Sequence, residues 1–99
     1  MNVLMVSSKV KEENVADARA AVDKLFQALE QARPAGVRYA TTTLGDGLTI
    51  VAFLALEPGQ EHPLRTFPAY VELLESFEAW RAEPAVVERM TVTGSYGLF

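Results

Sequence analysis

Several residue types that build common chemical sites are absent or nearly absent from this sequence. It has no cysteine and a single histidine, His62, among 99 residues. Disulfides and thiolate metal sites are therefore excluded, and one histidine cannot supply a transition-metal cluster. No glycine-rich phosphate loop precedes a helix, so no nucleotide site is indicated either. We predict no metal and no cofactor.

Clusters of basic residues are also lacking. Nine lysines and arginines stand against thirteen acidic residues, which gives a net charge of −4, and the basic residues are scattered singly. Phosphate contacts need clustered cations, so we expect no nucleic-acid partner. No apolar run approaches the ~20 residues of a membrane span, and residues 1–8 lack the features of a signal peptide. We therefore expect a cytoplasmic protein with no membrane partner.

The longest near-continuous apolar run covers residues 48–56 and predicts a strand that is apolar on both faces. Alternate side chains of a strand point to opposite faces, so Ile50 and Leu54 share one face while Val51 and Phe53 share the other. A strand of this kind is typical of the centre of a sheet, where both faces are covered. The alternation alone does not predict which of these two pairs faces the helices and which faces the other side of the sheet.

Three further strands are predicted on either side of this one. Residues 3–6 form a short apolar run without a polar face, which indicates another central strand. Residues 37–44 are β-branched and more polar, as on a sheet edge, and the turn Gly45-Asp46-Gly47 joins them to the apolar run. Residues 86–99 alternate between apolar and small polar side chains, which predicts a last strand.

Two helices are predicted from apolar residues that recur at steps of three and four. The first covers about residues 12–33 and the second about residues 67–82. Asn14 and Asp17 form a weaker version of a capping box at the start of the first helix. Pro68 suits the first turn of the second helix, because proline lacks only an N–H that would be unpaired there.

The element order β-α-β-β-α-β predicts an α+β fold of the ferredoxin-like type. In this plait, residues 1–99 form one domain with a four-stranded antiparallel sheet, and right-handed crossovers place both helices on one face. The first and third strands are central, in agreement with their apolar patterns. The other face of the sheet would be a large apolar patch, for which a second copy of the chain is the simplest cover.

The chain resembles a known superfamily in its length, its element order and one segment near its C-terminus. That segment is Phe77-Glu-Ala-Trp-Arg-Ala-Glu-Pro84, followed by a tail containing Thr-Val-Thr-Gly-Ser-Tyr. The chain is similar to the dimeric α/β-barrel superfamily, and within that superfamily to antibiotic-biosynthesis-monooxygenase-like proteins of an uncharacterised actinobacterial type. The resemblance implies a homodimer that forms a dimeric α/β barrel through the sheet face.

The resemblance also implies a function. Members of this superfamily include monooxygenases that oxidise quinol-like or anthrone-like substrates without metal or flavin. This chain would then bind a small hydrophobic or aromatic molecule and oxidise it with oxygen. His62 is the candidate for a catalytic role, because its ordinary pKa is the one nearest neutrality. Aromatic side chains would line the substrate pocket between the helices and the sheet: Tyr39, Phe53, Tyr70, Phe77, Trp80 and Tyr96.

Two alternatives stand beside this interpretation. The haem-degrading branch of the superfamily uses an Asn, a Trp and a His, where this chain has Ser7, Trp80 and Arg89. Two of the three residues are missing, so haem degradation is not expected. The second alternative is a non-catalytic interaction or stress-related domain, in which the aromatic side chains only fill the core and His62 is a surface residue.

Overall fold

The computed structural model describes residues 2–59 and 62–98. These residues form one antiparallel sheet with the strand order β2-β3-β1-β4, together with two α-helices. The predicted α+β, ferredoxin-like fold is confirmed, with the first and third strands at the centre and the second at an edge. The elements in chain order are β1 (Asn2–Lys9), α1 (Val15–Ala32, preceded by a 3-10 turn at Glu12–Asn14), β2 (Tyr39–Thr43), β3 (Thr49–Leu56), α2 (Pro68–Trp80) and β4 (Val86–Thr91).

The last strand is shorter than its sequence pattern predicts. It ends at Thr91, which lies opposite Asn2 at the start of β1. Beyond that point β4 has no neighbouring strand within the described chain, so residues 92–98 leave the sheet despite their alternation. The extension of the prediction to residue 98 is therefore wrong, and Phe99 lies outside the described residues.

The helix ends differ from the predictions for local reasons. The predicted capping box is wrong, because the Asn14 side-chain amide donates to the Asp17 carboxylate over 3.0 Å and does not cap a backbone N–H. The second helix ends at Trp80, because Arg81 turns into extended backbone and pairs with Val10 just beyond β1. That pairing places the residue after α2 beside the central strand.

The strand register decides which side chains face the helices. Leu54 lies opposite both Leu4 of β1 and Tyr39 of β2, so these three side chains share one face of the sheet. Leu54 is 3% exposed and belongs to the core that includes residues of both helices. We call this side the helix face. Phe53 alternates with Leu54 and therefore lies on the other side, which we call the open face.

The core is centred between the helix face and the two helices. Its most deeply buried large side chains include Val10, Leu25 and Leu64, each with an exposed fraction of 1% or less. Burying one such side chain stabilises the fold by about 1.5–3 kcal/mol. Leu64 comes from the loop before α2, so this loop is anchored in the core and sets where α2 begins. No helix of the described residues is long and apolar enough to cross a membrane.

Candidate functional site

A cavity of about 340 Å³ lies between the helix face and the two helices. Pockets for small molecules have volumes of about 300–1,000 Å³, so this cavity is at the small end of that range. Its walls are mainly apolar, and its polar side chains are few. The lining residues are Leu4, Val6, Ser8, Val22, Tyr39, Thr41, Ile50, Ala52, Tyr70, Leu73, Leu74, Phe77, Glu78, Arg81, Ala85 and Val87.

Small side chains in the middle of the sheet leave this space open. Ser8 lies opposite Ile50 and Val6 opposite Ala52, so the serine and the alanine occupy neighbouring positions on the two central strands. A large aliphatic residue at either position would fill volume that is empty here. Towards β4 the cavity is bordered by Leu74 and Val87, which are 47% and 59% exposed. These two residues form an apolar rim.

Two tyrosines from different elements meet in the cavity wall. The rings of Tyr39 on β2 and Tyr70 on α2 are edge to face, with centroids 6.1 Å apart. Burial raises the pKa of the Tyr39 phenol above its ordinary value, and the neighbouring Tyr70 adds to this. Burial also raises the pKa of the Tyr70 phenol. Both phenols are therefore neutral at physiological pH, and each has an O–H to donate.

The hydroxyl groups of the cavity are not used by the protein itself. No side-chain hydrogen bond within the described residues involves the hydroxyl of Ser8, Tyr39 or Tyr70. None of their oxygens is fully enclosed, since every enclosed side-chain N or O atom of the described residues has a partner. Ser8 is nevertheless only 9% exposed. A hydroxyl held in a mostly apolar pocket without a protein partner is available to a ligand.

His62 lies behind Tyr70, and the cavity lining does not include it. The two ring centroids are 5.3 Å apart. The backbone N–H of Leu64 donates to Nδ1 of His62 over 3.2 Å, so the neutral ring carries its hydrogen on Nε2. Burial is the main cause that lowers the pKa of His62, and the nearby Arg65 charge acts in the same direction. The ring supports Tyr70 from outside, and its catalytic role stays a prediction.

Two charged side chains lie among the lining residues, Glu78 and Arg81. Nη2 of Arg81 is 3.6 Å from Oε1 of Glu78, three residues earlier in the chain. The Arg81 side chain is 33% exposed and the Glu78 side chain 73%. Ion pairs of this exposed type contribute little to stability, about 0–1 kcal/mol. The arginine is the more enclosed of the two charges.

Three of the predicted pocket residues line the cavity, and the other three lie outside its lining. Tyr39, Tyr70 and Phe77 line the cavity. Trp80 lies behind Phe77, with the ring centroids 5.8 Å apart, and is outside the lining. Phe53 lies on the open face, so its predicted position between helices and sheet is wrong. The same holds for Tyr96, which is fully exposed in the C-terminal segment.

Among the lining residues that sequence reasoning did not single out are Ser8 and Arg81. Ser8 follows the apolar run of β1 and lies in step with the side chains on its buried face. This alternation could have indicated that Ser8 points towards the core. Arg81 falls on the apolar stripe of the predicted second helix, where a charge is out of place. A charged residue at this position could have indicated that the helix ends here and that the side chain points inward.

The open face carries a second depression, a groove of about 890 Å³. Its sheet side is lined by Val3, Phe53 and Met90. Another side is lined by residues 92–94 and Leu98. Val3 is 1% exposed, whereas Val86 on the same face is 52% exposed. The open face is therefore covered near the groove and bare towards the edge at β4.

The geometry of the fold and cavity defines a class, namely small plait proteins with a pocket between the helices and the sheet. No protein-family model matches the chain, and no curated protein matches it either. Solved structures do match over nearly its whole length. A candidate antibiotic biosynthesis monooxygenase from Nitrosomonas europaea is 19% identical, with a TM-score of 0.76, over 95% of this chain and 100% of that one.

Two further structures show the spread of this fold. A candidate antibiotic biosynthesis monooxygenase from Deinococcus radiodurans is 12% identical, with a TM-score of 0.74, over 100% of this chain and 99% of that one. A NIPSNAP domain protein from Burkholderia xenovorans is 13% identical, with a TM-score of 0.64, over 94% and 95% of the two chains. The fold expected from the resemblance is confirmed: the chain has the fold of antibiotic-biosynthesis-monooxygenase-like proteins.

The unpartnered hydroxyl of Ser8 should contribute almost nothing to stability. We expect Ser8→Ala to change the free energy of unfolding by less than about 0.5 kcal/mol, because no hydrogen bond is lost. Thr49 is the matched control, since it is also 9% exposed but its hydroxyl donates to the Asp46 carboxylate over 2.7 Å. Thr49→Val should cost about 1 kcal/mol in urea denaturation. A larger loss in Ser8→Ala than in Thr49→Val would contradict this.

Stability should depend on pH through His62. Its pKa is lowered in the folded protein, so the unfolded chain binds the proton more readily, and stability is lost as the pH falls. The contribution is full above the ordinary histidine pKa of about 6.5 and declines below it. The melting temperature of the wild type should fall more between about pH 7.5 and pH 5.5 than that of His62→Asn, whose amide oxygen does not titrate. Equal falls would show that His62 does not titrate in this way.

Proposed function

We propose that the protein binds a small, flat aromatic or quinol-like molecule in the cavity and oxidises it with molecular oxygen, without a metal or an organic cofactor. One observation carries this proposal: the hydroxyls of Ser8, Tyr39 and Tyr70 border an apolar cavity and have no partner in the protein. None of these hydroxyl oxygens is fully enclosed, so each remains free to bond a ligand. A ligand with oxygen substituents satisfies them.

The shape and chemistry of the walls favour this class of ligand. The volume of about 340 Å³ suits a molecule of about two or three fused rings, the size of a bicyclic quinol or an anthrone. The rings of Tyr39, Tyr70 and Phe77 offer faces and edges for stacking. Neutral phenols are hydrogen-bond donors, and they stabilise a negative oxygen better than a neutral one. The site therefore fits a molecule whose ring oxygen becomes anionic during reaction.

The reaction can take its electrons from the substrate alone. In a substrate of the anthrone type, an activated CH2 group loses both hydrogens and becomes a carbonyl with one atom of O2, while the other atom leaves as water. The first proton would pass to water at the open side of the cavity and leave a ring oxyanion, which the two phenols would stabilise by hydrogen bonding. The mostly apolar cavity limits competing water.

A comparison of tyrosine variants tests the proposal. Calorimetry under nitrogen would measure binding of 1,4-dihydroxynaphthalene, and an oxygen electrode would measure uptake with an anthrone. Tyr39→Phe and Tyr70→Phe should each weaken binding or turnover by about tenfold, the value of a hydrogen bond to a charged group. Tyr96→Phe is the control, because Tyr96 is fully exposed and outside the cavity.

The outcomes separate the two functional hypotheses. Binding without oxygen uptake above the uncatalysed rate would leave a binding protein and remove the oxidation. No binding of either compound to the wild type would remove the proposal as a whole and favour the non-catalytic interaction domain. Equal losses in the Tyr96→Phe control would show that the effect does not come from the cavity.

We also propose that the open face packs against a second copy of the chain. Phe53 and Met90 are half-buried on this face, and Val86 is 52% exposed. The C-terminal segment adds Leu98, which is 79% exposed and borders the same groove. A two-fold related copy would bring the same apolar surface to meet it. The cavity lies on the opposite side of the sheet, so this dimer leaves it accessible.

Substitution on the open face tests the dimer. We expect light scattering of the wild type at micromolar concentration to give twice the chain mass of 10.9 kDa. Phe53→Glu should give the monomer mass, because a charge buried in an apolar interface has no partner. Val71→Glu is the control, since Val71 is 38% exposed on α2, away from the open face. A wild type at monomer mass would contradict the proposal.

A further inference from the structure

We infer that Arg81 makes the cavity selective for ligands that carry a carboxylate on an apolar aromatic body. This inference rests on the proposed ligand binding and specifies which members of the ligand class bind best. It uses two observations that are independent of the tyrosines. One is the backbone pairing that directs the Arg81 side chain, and the other is the charge pattern of the cavity lining.

The backbone on both sides of Arg81 is fixed to the end of β1. The N–H of Lys11 donates to the Trp80 carbonyl over 2.8 Å, and the N–H of Ala82 donates to the Lys9 carbonyl over 2.7 Å. These two bonds flank the antiparallel pair of Val10 and Arg81, whose side chains therefore point to the same side. Val10 is 1% exposed and belongs to the core under the helices. Arg81 is thus directed towards the helix face and the cavity.

The guanidinium of Arg81 has donors to spare. Its one contact with Glu78 has an N–O distance of 3.6 Å, which is longer than a good hydrogen bond. A guanidinium carries five N–H donors in a fixed plane, which match the two oxygens of a carboxylate. No other hydrogen bond of this side chain occurs within the described residues. A carboxylate at this end of the cavity would satisfy it.

The charges around the cavity favour an acid over an amine. Glu78 would attract an amine, but its side chain is 73% exposed and its field is weakened by solvent. Arg81 is the more enclosed charge and the stronger local one. The chain as a whole has a net charge of −4, which disfavours an anion at long range. A measured preference for an acid would therefore come from a local group.

A matched pair of quinols tests the inference. The probes are 1,4-dihydroxy-2-naphthoate and 1,4-dihydroxynaphthalene, which differ only in the carboxylate, and both are titrated under nitrogen to prevent oxidation. The wild type should bind the acid about tenfold more tightly than the neutral quinol. Arg81→Gln should lose this preference and still bind the neutral quinol. Arg81→Lys should keep part of it, because the charge remains without the planar fork.

Arg89→Gln is the control for the general effect of charge. Arg89 lies opposite Leu4, on the same side of the sheet, but outside the cavity lining. The Arg89→Gln variant should keep the full preference for the acid over the neutral quinol. Binding of both quinols without an acid preference, or a preference that survives in Arg81→Gln, would overturn the inference and leave the proposed function intact. Failure of both quinols to bind would overturn the two together.

Discussion

One constraint governs this small protein: its central strands are apolar on both faces, and its two helices cover only one of them. Leu54 and Phe53 are neighbours in sequence and lie on opposite sides of the sheet. The helices cover Leu54, whereas Phe53 remains half-buried on the open face. On the open face the described residues leave Phe53 and Met90 half-buried and Val86 52% exposed. The proposed second copy would cover these side chains.

The covered face is itself not fully packed. Ser8 and Ala52 are small where the sheet meets the helices, so a cavity of about 340 Å³ remains in what would otherwise be core. A cavity lowers stability, because the residues around it lose packing contacts. Features that cost stability without a structural return are typical of binding and catalytic sites.

Much of the architecture could be predicted from the sequence, because the periodicities are strong. The two-sided apolar pattern of residues 48–56 identified a central strand, and the polar pattern of residues 37–44 identified an edge. The sequence could not predict which alternate set of side chains in residues 48–56 faces the helices, because both sets are mostly apolar. The end of β4 at Thr91 was also beyond prediction. It depends on where the neighbouring strand β1 begins, and not on the alternation of residues 92–98.

The candidate site was less accessible to sequence reasoning than the fold. Tyr39, Tyr70 and Phe77 were predicted as pocket residues, and they line the cavity. Ser8 and Arg81 were missed, because their importance depends on space left by distant residues and on a backbone pairing across the chain. Aromatic residues predict both core and pocket. Only the three-dimensional arrangement separates Tyr70 in the wall from Trp80 behind it.

A crystal structure grown anaerobically with 1,4-dihydroxynaphthalene would test ligand binding and dimer formation together, because it examines both faces of the sheet at once. We expect density for the ring system on the helix face, within hydrogen-bond distance of the Ser8, Tyr39 or Tyr70 hydroxyl. We also expect a two-fold related copy on the open face over Phe53. A cavity closed by its own side chains, or an open face exposed to solvent in a monomer, would contradict these expectations.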